Sequence, residues 1–351
     1  MLTSRTARFR LLPGKIVVTM FMIMLGFTFF SASMWVGQQL ADGLDFWGFL
    51  GSLILGGIIL GIYTGLLGYV GAKTGLSLDL LSQRAFGEKG SYLPSAMTSF
   101  TQIGWFGVGL AMFAIPVSKE LLGGSTAAQW GLVILAGVCM TASAYFGIES
   151  LTIVSYIAVP SVAILGTIAM VMAVMRGDGT IIDQFAKSSG SLTIIGGAGL
   201  VIGSFVSGGT ATPNFARFAK DGKAGAITTV VAFFIGNSLM FFFGAVSSIF
   251  VGGNDIFEVM VRLNLFYLAV LVLGLNIWTT NDNALYTAGL GLANIFHQRK
   301  KSDGSPFRYH RNGCLRMAVL QLLRLAQHSE LYPAAGRHDS GARLLHEQKG
   351  L

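Results

Sequence analysis

Long apolar segments with few charged residues fill this chain from Lys15 to Phe296, and they constrain its fold more than any other feature. Only 11% of the residues are charged and 53% are hydrophobic, whereas a soluble domain has about 25% charged residues. Each helical crossing of the hydrocarbon core takes roughly 20 apolar residues. The sequence therefore predicts an all-α polytopic membrane protein.

The apolar runs are continuous rather than alternating, which favours helices over a β-barrel. We predict about eight spans from them. Their limits are near residues 15–38, 47–72, 92–118, 129–147, 151–175, 192–214, 225–251 and 265–290. Residues 1–14 are predicted to be a cytoplasmic N-terminal segment and residues 15–300 a transmembrane domain of helices 1–8.

Basic residues fall unevenly on the two sides of these predicted helices, and cytoplasmic ends normally carry the excess. With a cytoplasmic N-terminus, the inside set is Arg5, Arg8, Arg10, Lys15, Lys73, Arg84, Lys89, Arg217, Lys220, Lys223, Arg299, Lys300 and Lys301, and the outside set is Lys119, Arg176, Lys187 and Arg262. This asymmetry predicts a multi-pass protein with its N-terminus in the cytoplasm. It also accounts for the net charge of +8 without a nucleic-acid partner.

Patterns typical of enzymes do not occur in the sequence. The two cysteines, Cys139 and Cys314, form neither a disulfide pattern nor a metal motif. There is no phosphate-binding loop and no nucleophile–base arrangement. We therefore predict no catalytic residue and no organic cofactor.

Two predicted helices contain segments rich in glycine and hydroxyl residues, which indicates interruptions. Residues 26–33 have the sequence GFTFFSAS and residues 203–210 have GSFVSGGT, with Pro213 soon after. Glycine is about 1 kcal/mol less favourable than alanine in a helix. Interrupted helices at matching places in two halves are typical of transporter binding sites. The alternative is that these glycines serve only helix packing, since glycine is common in membrane helices.

Polar and aromatic residues at membrane depth predict a small-molecule site. Gln102 and Trp105 lie three residues apart, on one face of the third helix. A buried amide costs free energy unless it finds partners, and Trp105 offers a wide stacking surface. Phe205, predicted to lie in the interruption of helix six, could supply the opposite face. The arrangement suits a flat polar heterocycle, and packing is the alternative for Trp105.

Helix eight contains six polar side chains among residues 276–283 (NIWTTNDN), which is costly inside a membrane. The Thr279 and Thr280 hydroxyls, with carbonyls from an unwound helix one, are ligands that suit a small hard cation such as sodium. Interhelical hydrogen bonds, worth about 0.6 kcal/mol each, are the alternative. For Asp282 two interpretations remain open: a proton or charge element, or a helix-end residue near a polar cavity.

Six segments of this sequence resemble the nucleobase–cation symporter-1 (NCS1) family, and in particular its bacterial cytosine transporters. They are LGFTFFSASMW (25–35), GYVGAKTGLSLDLL (68–81), TQIGWFGVGLAMFAIPV (101–117), VIGSFVSGGTATPNFARF (201–218), FFIGNSLMFFFGA (233–245) and LGLNIWTTNDNALY (273–286). The resemblance implies a LeuT-like fold, in which the first ten of twelve helices form two inverted five-helix repeats. It also implies sodium-driven cytosine uptake by alternating access in the bacterial cytoplasmic (inner) membrane.

The resemblance assigns a role to each matching residue. Trp105 and Phe205 would stack on the two faces of cytosine, while Gln102, Ser204 and Asn276 would hydrogen-bond its polar edge. Sodium would be held by the backbone carbonyls of Gly26, Phe29 and Asn276 and by the hydroxyls of Thr279 and Thr280. Two alternatives remain: a family member for another heterocycle (uracil, allantoin or a hydantoin), and a non-transporting membrane fragment.

The resemblance stops at Lys300-Lys301, so the fold is predicted to be truncated after about eight helices. Residues 302–351 contain six arginines and four of the five histidines. With the reading frame of residues 302–313 moved forward by one base, permitted codons give the apolar Pro-Met-Val-Leu-Leu-Ser-Val-Ile-Thr-Gly-Thr. We therefore interpret residues 301–351 as an out-of-frame, non-native tail and expect little or no transport. A genuine soluble tail is the alternative, and the DNA sequence across codons 299–303 distinguishes the two.

Overall fold

The structure, a computed structural model, describes residues 13–253 and 255–296. The predicted tail and most of the predicted N-terminal segment lie outside this range, as do Arg299, Lys300 and Lys301. The described residues form helices and connecting turns, without strands. The helices are α1 (Pro13–Thr28), α2 (Ser31–Gly43), α3 (Phe46–Thr74), α4 (Leu78–Gly90), α5 (Tyr92–Leu121), α6 (Thr126–Tyr145), α7 (Ile148–Arg176), α8 (Ile181–Phe185), α9 (Ile194–Thr210), α10 (Thr212–Ala216), α11 (Gly222–Val231), a π-helical turn (Ala232–Gly236), α12 (Asn237–Val251), α13 (Ile256–Arg262) and α14 (Phe266–Ile295).

Each of the eight predicted spans corresponds to helical structure. Five of the spans are single helices, namely α3, α5, α6, α7 and α14. The other three are the helix pairs α1–α2, α9–α10 and α11–α12. By length and apolarity alone, five described helical segments could cross a membrane, or six if the bent pair α1–α2 is one span. Helix α14 is long enough, at 30 residues, but its polar cluster lowers its mean hydropathy.

The helices pack in a way that places the α1–α2 interruption near the centre of the bundle. Helix α5 lies along α14, α3 lies along α9 and α11, α1 contacts α7, and α2 contacts α12. Large buried side chains such as Phe27, Met34 and Phe243 fill the interior. Helix α3 instead exposes Ile62 and Leu66 on its outer surface, as expected of a face that contacts lipid.

The predicted interruption of the first span is confirmed. Phe29 and Phe30 separate α1 from α2, Phe30 has an extended backbone (φ −133°, ψ 131°), and the two helices are bent by 55°. The last carbonyls of α1 and the first amides of α2 therefore lack the partners they would have in a continuous helix.

The predicted interruption of the sixth span lies later than expected. The glycine-rich segment 203–210 is helical and belongs to α9, so the prediction that Phe205 lies in a break is wrong. The helix ends at Thr210, and after Ala211 the short helix α10 begins with Pro213 in its first turn. Glycine stays helical here because α9 packs closely on α3: a Cβ on Gly209 would come within 2.8 Å of the Thr64 methyl group.

Helix α4 follows the second span and buries two of its polar side chains. Asp79 and Ser82 are buried, whereas Leu80 and Phe86 are exposed. The Asp79 Oδ1 accepts a hydrogen bond of 2.6 Å from the Ser95 hydroxyl of α5. Burial raises the pKa of the Asp79 carboxyl above its ordinary value, although this hydrogen bond opposes the rise.

Candidate functional site

Asn276 of α14 joins the α1–α2 interruption to the core. Its Oδ1 accepts hydrogen bonds from the backbone N–H of Ser31 (2.8 Å) and from the Ser31 hydroxyl (2.9 Å). The N-cap residue Phe30 has no side-chain acceptor of its own. Asn276, 245 positions away in the sequence, therefore supplies the hydrogen-bond acceptor that the N-terminus of α2 needs.

Four of the five oxygen ligands predicted for a cation lie close together beside the N-terminus of α2. The Thr280 hydroxyl lies 3.2 Å from the Phe29 carbonyl and 3.3 Å from the Asn276 carbonyl. The Thr279 hydroxyl lies 3.0 Å from the same Asn276 carbonyl. We call these two carbonyls (Phe29 and Asn276) and two hydroxyls (Thr279 and Thr280) the oxygen cluster. Buried oxygen atoms of this kind are the hard ligands that an alkali or alkaline-earth cation prefers.

Gly26, the fifth predicted ligand residue, lies at the edge of the oxygen cluster. A Cβ at this position would be 3.4 Å from the Thr279 Cβ and 2.8 Å from the Ser155 Oγ of α7. Ser155 is buried, and its hydroxyl has no hydrogen-bond partner among the described residues. Sequence reasoning missed Ser155, since a single serine in an apolar helix carries no signal until its surroundings are known.

A cleft lies next to the oxygen cluster, between α1–α2, α5, α9 and α14. Its lining residues are Phe27, Phe30, Gln102, Trp105, Ser204, Phe205, Ser207, Gly208 and Thr280. Four of the five predicted substrate residues are among them. Asn276 is not, because its side chain points to the α2 cap, so its role in substrate binding stays a prediction.

In the cleft wall, the side-chain amide nitrogen of Gln102 has no hydrogen-bond partner among the described residues. The residue is 2% exposed, and its Nε2 makes no hydrogen bond within the described part of the chain. An unsatisfied buried donor costs roughly 1–3 kcal/mol. Such a group in a cleft wall is a favourable point for a ligand that offers an acceptor.

Aromatic rings form most of the remaining cleft wall. Trp105 contacts Phe30 edge-to-face, with ring centroids 5.6 Å apart, and its indole N–H donates to the Ser207 hydroxyl at 3.1 Å. Phe205 contacts Phe27 edge-to-face at 5.2 Å. The Ser204 hydroxyl donates to the Val201 carbonyl at 2.8 Å, which leaves its lone pairs available as acceptors.

The cleft is narrow in this conformation. Its mouth and interior together enclose about 250 Å³, but the side chains leave room for only about one water molecule between them. At least one of the lining side chains Phe30, Trp105 and Phe205 must therefore move outward before a planar ring can enter the cleft.

Asp282 lies outside both the cleft wall and the oxygen cluster. It is near the middle of α14, not at a helix end, so the helix-end interpretation is wrong. The residue is 1% exposed and faces Ser143 of α6, whose Oγ is 2.6 Å from Asp282 Oδ1.

Comparison with known proteins agrees with this geometry. The profile of a family described as "Permease for cytosine/purines, uracil, thiamine, allantoin" matches residues 15–302. This chain belongs to that permease family. The cytosine permeases of Escherichia coli K12 and Escherichia coli O6:H1 are each 47% identical to it over 289 residues, which cover 82% of this chain and 68% of the relative.

Solved transporter structures share the fold. Mhp1, a nucleobase-cation-symport-1 family transporter in a closed conformation with bromovinylhydantoin bound, aligns with a TM-score of 0.68 at 17% identity and covers 89% of this chain and 71% of its own. A Na⁺-coupled sialic acid symporter aligns with the same TM-score at 14% identity, covering 93% and 78%. The membership and the fold together identify a LeuT-fold membrane transporter of the NCS1 type, not an enzyme.

Proposed function

We propose that these helices belong to a cytosine transporter of the bacterial cytoplasmic membrane that works by sodium-coupled symport with alternating access. The chain is expected to bind cytosine and sodium, although the out-of-frame residues 301–351 should leave it with little or no transport. The observation that carries the proposal is the unpartnered Gln102 amide in an aromatic cleft, in a chain 47% identical to cytosine permeases.

The chemistry of the cleft favours a neutral planar ring with hydrogen-bonding edges. No charged side chain is among the described lining residues. The Gln102 Nε2 would donate to a ring carbonyl or ring nitrogen, and the Ser204 hydroxyl could accept from an exocyclic amine. Trp105 and Phe205 would stack on the ring faces once they separate. Cytosine has acceptors and an amine on one edge, which matches these groups.

The oxygen cluster supports sodium as the coupling ion. Its hydroxyls now donate to the Phe29 and Asn276 carbonyls, and a bound cation would take over those carbonyls and the hydroxyl lone pairs. The unpartnered Ser155 hydroxyl adds a further oxygen beside Gly26. The donor set therefore fits a monovalent hard cation.

The two proposed sites share structure, which gives a route for coupling. Thr280 both lines the cleft and contacts the Phe29 carbonyl, while Phe30, the next residue, contacts Trp105 in the cleft wall. A cation that orders the α1–α2 interruption would thereby position an aromatic wall of the cleft. By thermodynamic linkage, sodium and cytosine would raise each other's affinity by the same factor.

Contacts between helix ends support the proposed orientation. Helix α4, with Arg84 and Lys89, contacts α10, which precedes Arg217 and Lys220. On the other side, Arg176 donates to the Arg262 carbonyl at 3.4 Å. Two described segments that carry predicted inside residues are thus in contact, as are the predicted outside residues Arg176 and Arg262, in accordance with a cytoplasmic N-terminus.

Equilibrium binding of radiolabelled cytosine to the purified full chain tests the substrate proposal. Gln102→Leu should weaken binding roughly 5- to 150-fold, because the substrate acceptor loses its donor. The adjacent Thr101→Ala is the matched control: Thr101 is exposed and bonds only to its own helix, so binding should not change. Equal binding by wild type and Gln102→Leu would contradict the proposal, and competition with uracil, allantoin and hydantoin tests the alternative heterocycles.

Thr280→Val tests the sodium proposal in the same assay, because valine keeps the shape and removes the hydroxyl. Replacement of sodium by choline should weaken cytosine binding by the wild type about tenfold or more, within the usual range of coupling energies. Thr280→Val should bind weakly in both salts. Strong cytosine binding by Thr280→Val that still depends on sodium would exclude Thr280 as a ligand.

A further inference from the structure

Unpartnered polar groups continue along α14 beyond the cleft. Thr280 lines the cleft, and Asn283 and Thr287 follow it at steps of three and four residues, so the three share one face of the helix. Asn283 and Thr287 are each 1% exposed, and the Asn283 Oδ1 and the Thr287 Oγ1 have no hydrogen-bond partner among the described residues. Buried polar groups are normally satisfied, so two unsatisfied ones on the face that leads away from the cleft indicate a function.

Two hydrogen-bond donors at the end of α10 also lack acceptors. Asn214 is fully buried, and its Oδ1 accepts from the Leu78 N–H at 2.9 Å, whereas its Nδ2 makes no hydrogen bond within the part of the chain that the structure describes. Arg217, directly after α10, has a buried Nε that likewise lacks an acceptor there. Amide and guanidinium nitrogens can only donate, so both groups need an acceptor that the described residues do not supply.

Contacts of Tyr286 bring the end of α10 against the same face of α14. The Arg217 Nη2 donates to the Tyr286 hydroxyl at 2.9 Å, and the Phe215 ring packs against the Tyr286 ring with centroids 5.5 Å apart. Phe215 also contacts Phe27, a residue of the cleft wall, at 5.6 Å. Since Tyr286 is one turn of α14 from Asn283, the unpartnered groups of both helices lie at one end of the cleft, on the side proposed to be cytoplasmic.

The groups at this end of the cleft suit a neutral planar ring with hydrogen-bonding edges. Helix α10 offers two N–H donors, whereas α14 offers an amide oxygen and a hydroxyl that can accept. The rings of Phe215 and Tyr286 add apolar surface beside them. The positive charge of Arg217 disfavours a cation, and the acceptors of α14 disfavour an anion.

We propose that the transported ring has a second binding position, the inner position, formed by Asn214, Arg217, Asn283 and Thr287 on the cytoplasmic side of the cleft. The hydrogen bond from Arg217 to Tyr286 closes the inner position in this structure, because it holds α10 against α14. When that bond breaks, the two helices separate and the ring exchanges its partners in the cleft for the unpartnered groups. The ring then leaves the cleft without losing all its hydrogen bonds at once. The inner position rests on the proposed function for the identity of the ring.

Thiol labelling of the purified full chain in lipid tests the closure. Thr287→Cys is made together with Cys139→Ala and Cys314→Ala, which remove the two native thiols. A small water-soluble methanethiosulfonate reagent should react slowly with the thiol at position 287, because this position is buried. Adding Tyr286→Phe removes the acceptor of a charged donor and keeps the ring, so labelling should become roughly tenfold faster or more.

Ala288→Cys in the same background is the matched control. Ala288 is also fully buried, but its carbonyl accepts from the Ser99 hydroxyl of α5 at 3.1 Å, away from α10. Labelling at position 288 should stay slow when Tyr286→Phe is added. Equal acceleration at both positions would show that Tyr286→Phe loosens α14 as a whole, which would overturn the closure.

Protection by cytosine tests the binding at the inner position. Cytosine should slow the labelling of Thr287→Cys in the Tyr286→Phe background. High concentrations should still do so when Gln102→Leu weakens the cleft, because the inner position does not use Gln102. Labelling that Tyr286→Phe does not accelerate, or protection that is lost with Gln102→Leu, would overturn the inner position. A wild-type chain that binds no cytosine contradicts the proposed function instead, and protection is then measured with whichever of uracil, allantoin and hydantoin it binds.

Discussion

The α1–α2 and α9–α10 interruptions belong to helices that face the same cleft, yet different groups stabilise them. At the first, Phe29 and Phe30 leave the helix and Asn276 of α14 supplies the missing cap. At the second, only Ala211 separates the helices, and local bonds suffice: the Ala211 N–H donates to the Gly208 carbonyl at 3.0 Å. The N-terminus after the first interruption is thus capped by a residue distant in sequence, whereas the second interruption is bridged by a local hydrogen bond.

The strongest test of this contrast is Asn276→Leu. The change leaves the Ser31 N–H without an acceptor in a buried place, so the free energy of unfolding should fall by roughly 1–3 kcal/mol. Sodium-dependent cytosine binding should fall by about tenfold or more, equivalent to about 1.4 kcal/mol. Thermal unfolding and equilibrium binding of the full chain measure the two effects.

Asn237→Ala is the control for Asn276→Leu. The Asn237 Oδ1 accepts from the Ser33 hydroxyl at 2.9 Å, so it also ties α2 to a neighbouring helix, but it lies outside the oxygen cluster and the cleft wall. We expect a stability loss of about 1 kcal/mol with unchanged sodium dependence. If Asn276→Leu and Asn237→Ala lose the sodium dependence of cytosine binding equally, the hydrogen bond from Ser31 to Asn276 has no specific role in cation binding.

A pair of glycine substitutions gives the next largest difference. Gly26→Ala would bring a methyl group within 2.8 Å of the Ser155 Oγ and should weaken sodium binding about fivefold or more. Gly203→Ala has open space around it, and it should be neutral or stabilise α9 by up to about 1 kcal/mol. Sodium titrations of cytosine binding distinguish the two. Equal effects of both substitutions would show that glycine content alone, not close approach, matters.

The smallest effect is expected at the second interruption. Pro213→Ala removes a residue that favours the first turn of α10, where its missing N–H costs nothing. The free energy of unfolding should change by less than about 1 kcal/mol, and cytosine and sodium binding should not change. A loss of sodium dependence in Pro213→Ala would mean that both interruptions contribute to the cation site.

Much of the fold could be predicted from the sequence because membrane spans are encoded locally. The apolar runs place all eight helical segments, and the polar cluster of α14 marks the helix that carries the oxygen cluster. The interruption in segment 26–33 was also predictable from its glycine and hydroxyl content. The same signal in segment 203–210 gave a wrong position, because packing against α3 outweighs the modest helix cost of glycine.

The sequence by itself determined the membrane class, the helix order and the residue types that could meet in a cleft. The tertiary structure alone decided which polar groups lack a hydrogen-bond partner. The Gln102 Nε2 lacks one among the described residues, whereas the Asn276 Oδ1 accepts a hydrogen bond from Ser31. It also placed Ser155 beside Gly26 and Asp282 beside Ser143. The physical reason is that hydrogen-bond satisfaction and close approach are properties of helix pairs, whereas propensity and hydropathy are properties of single segments.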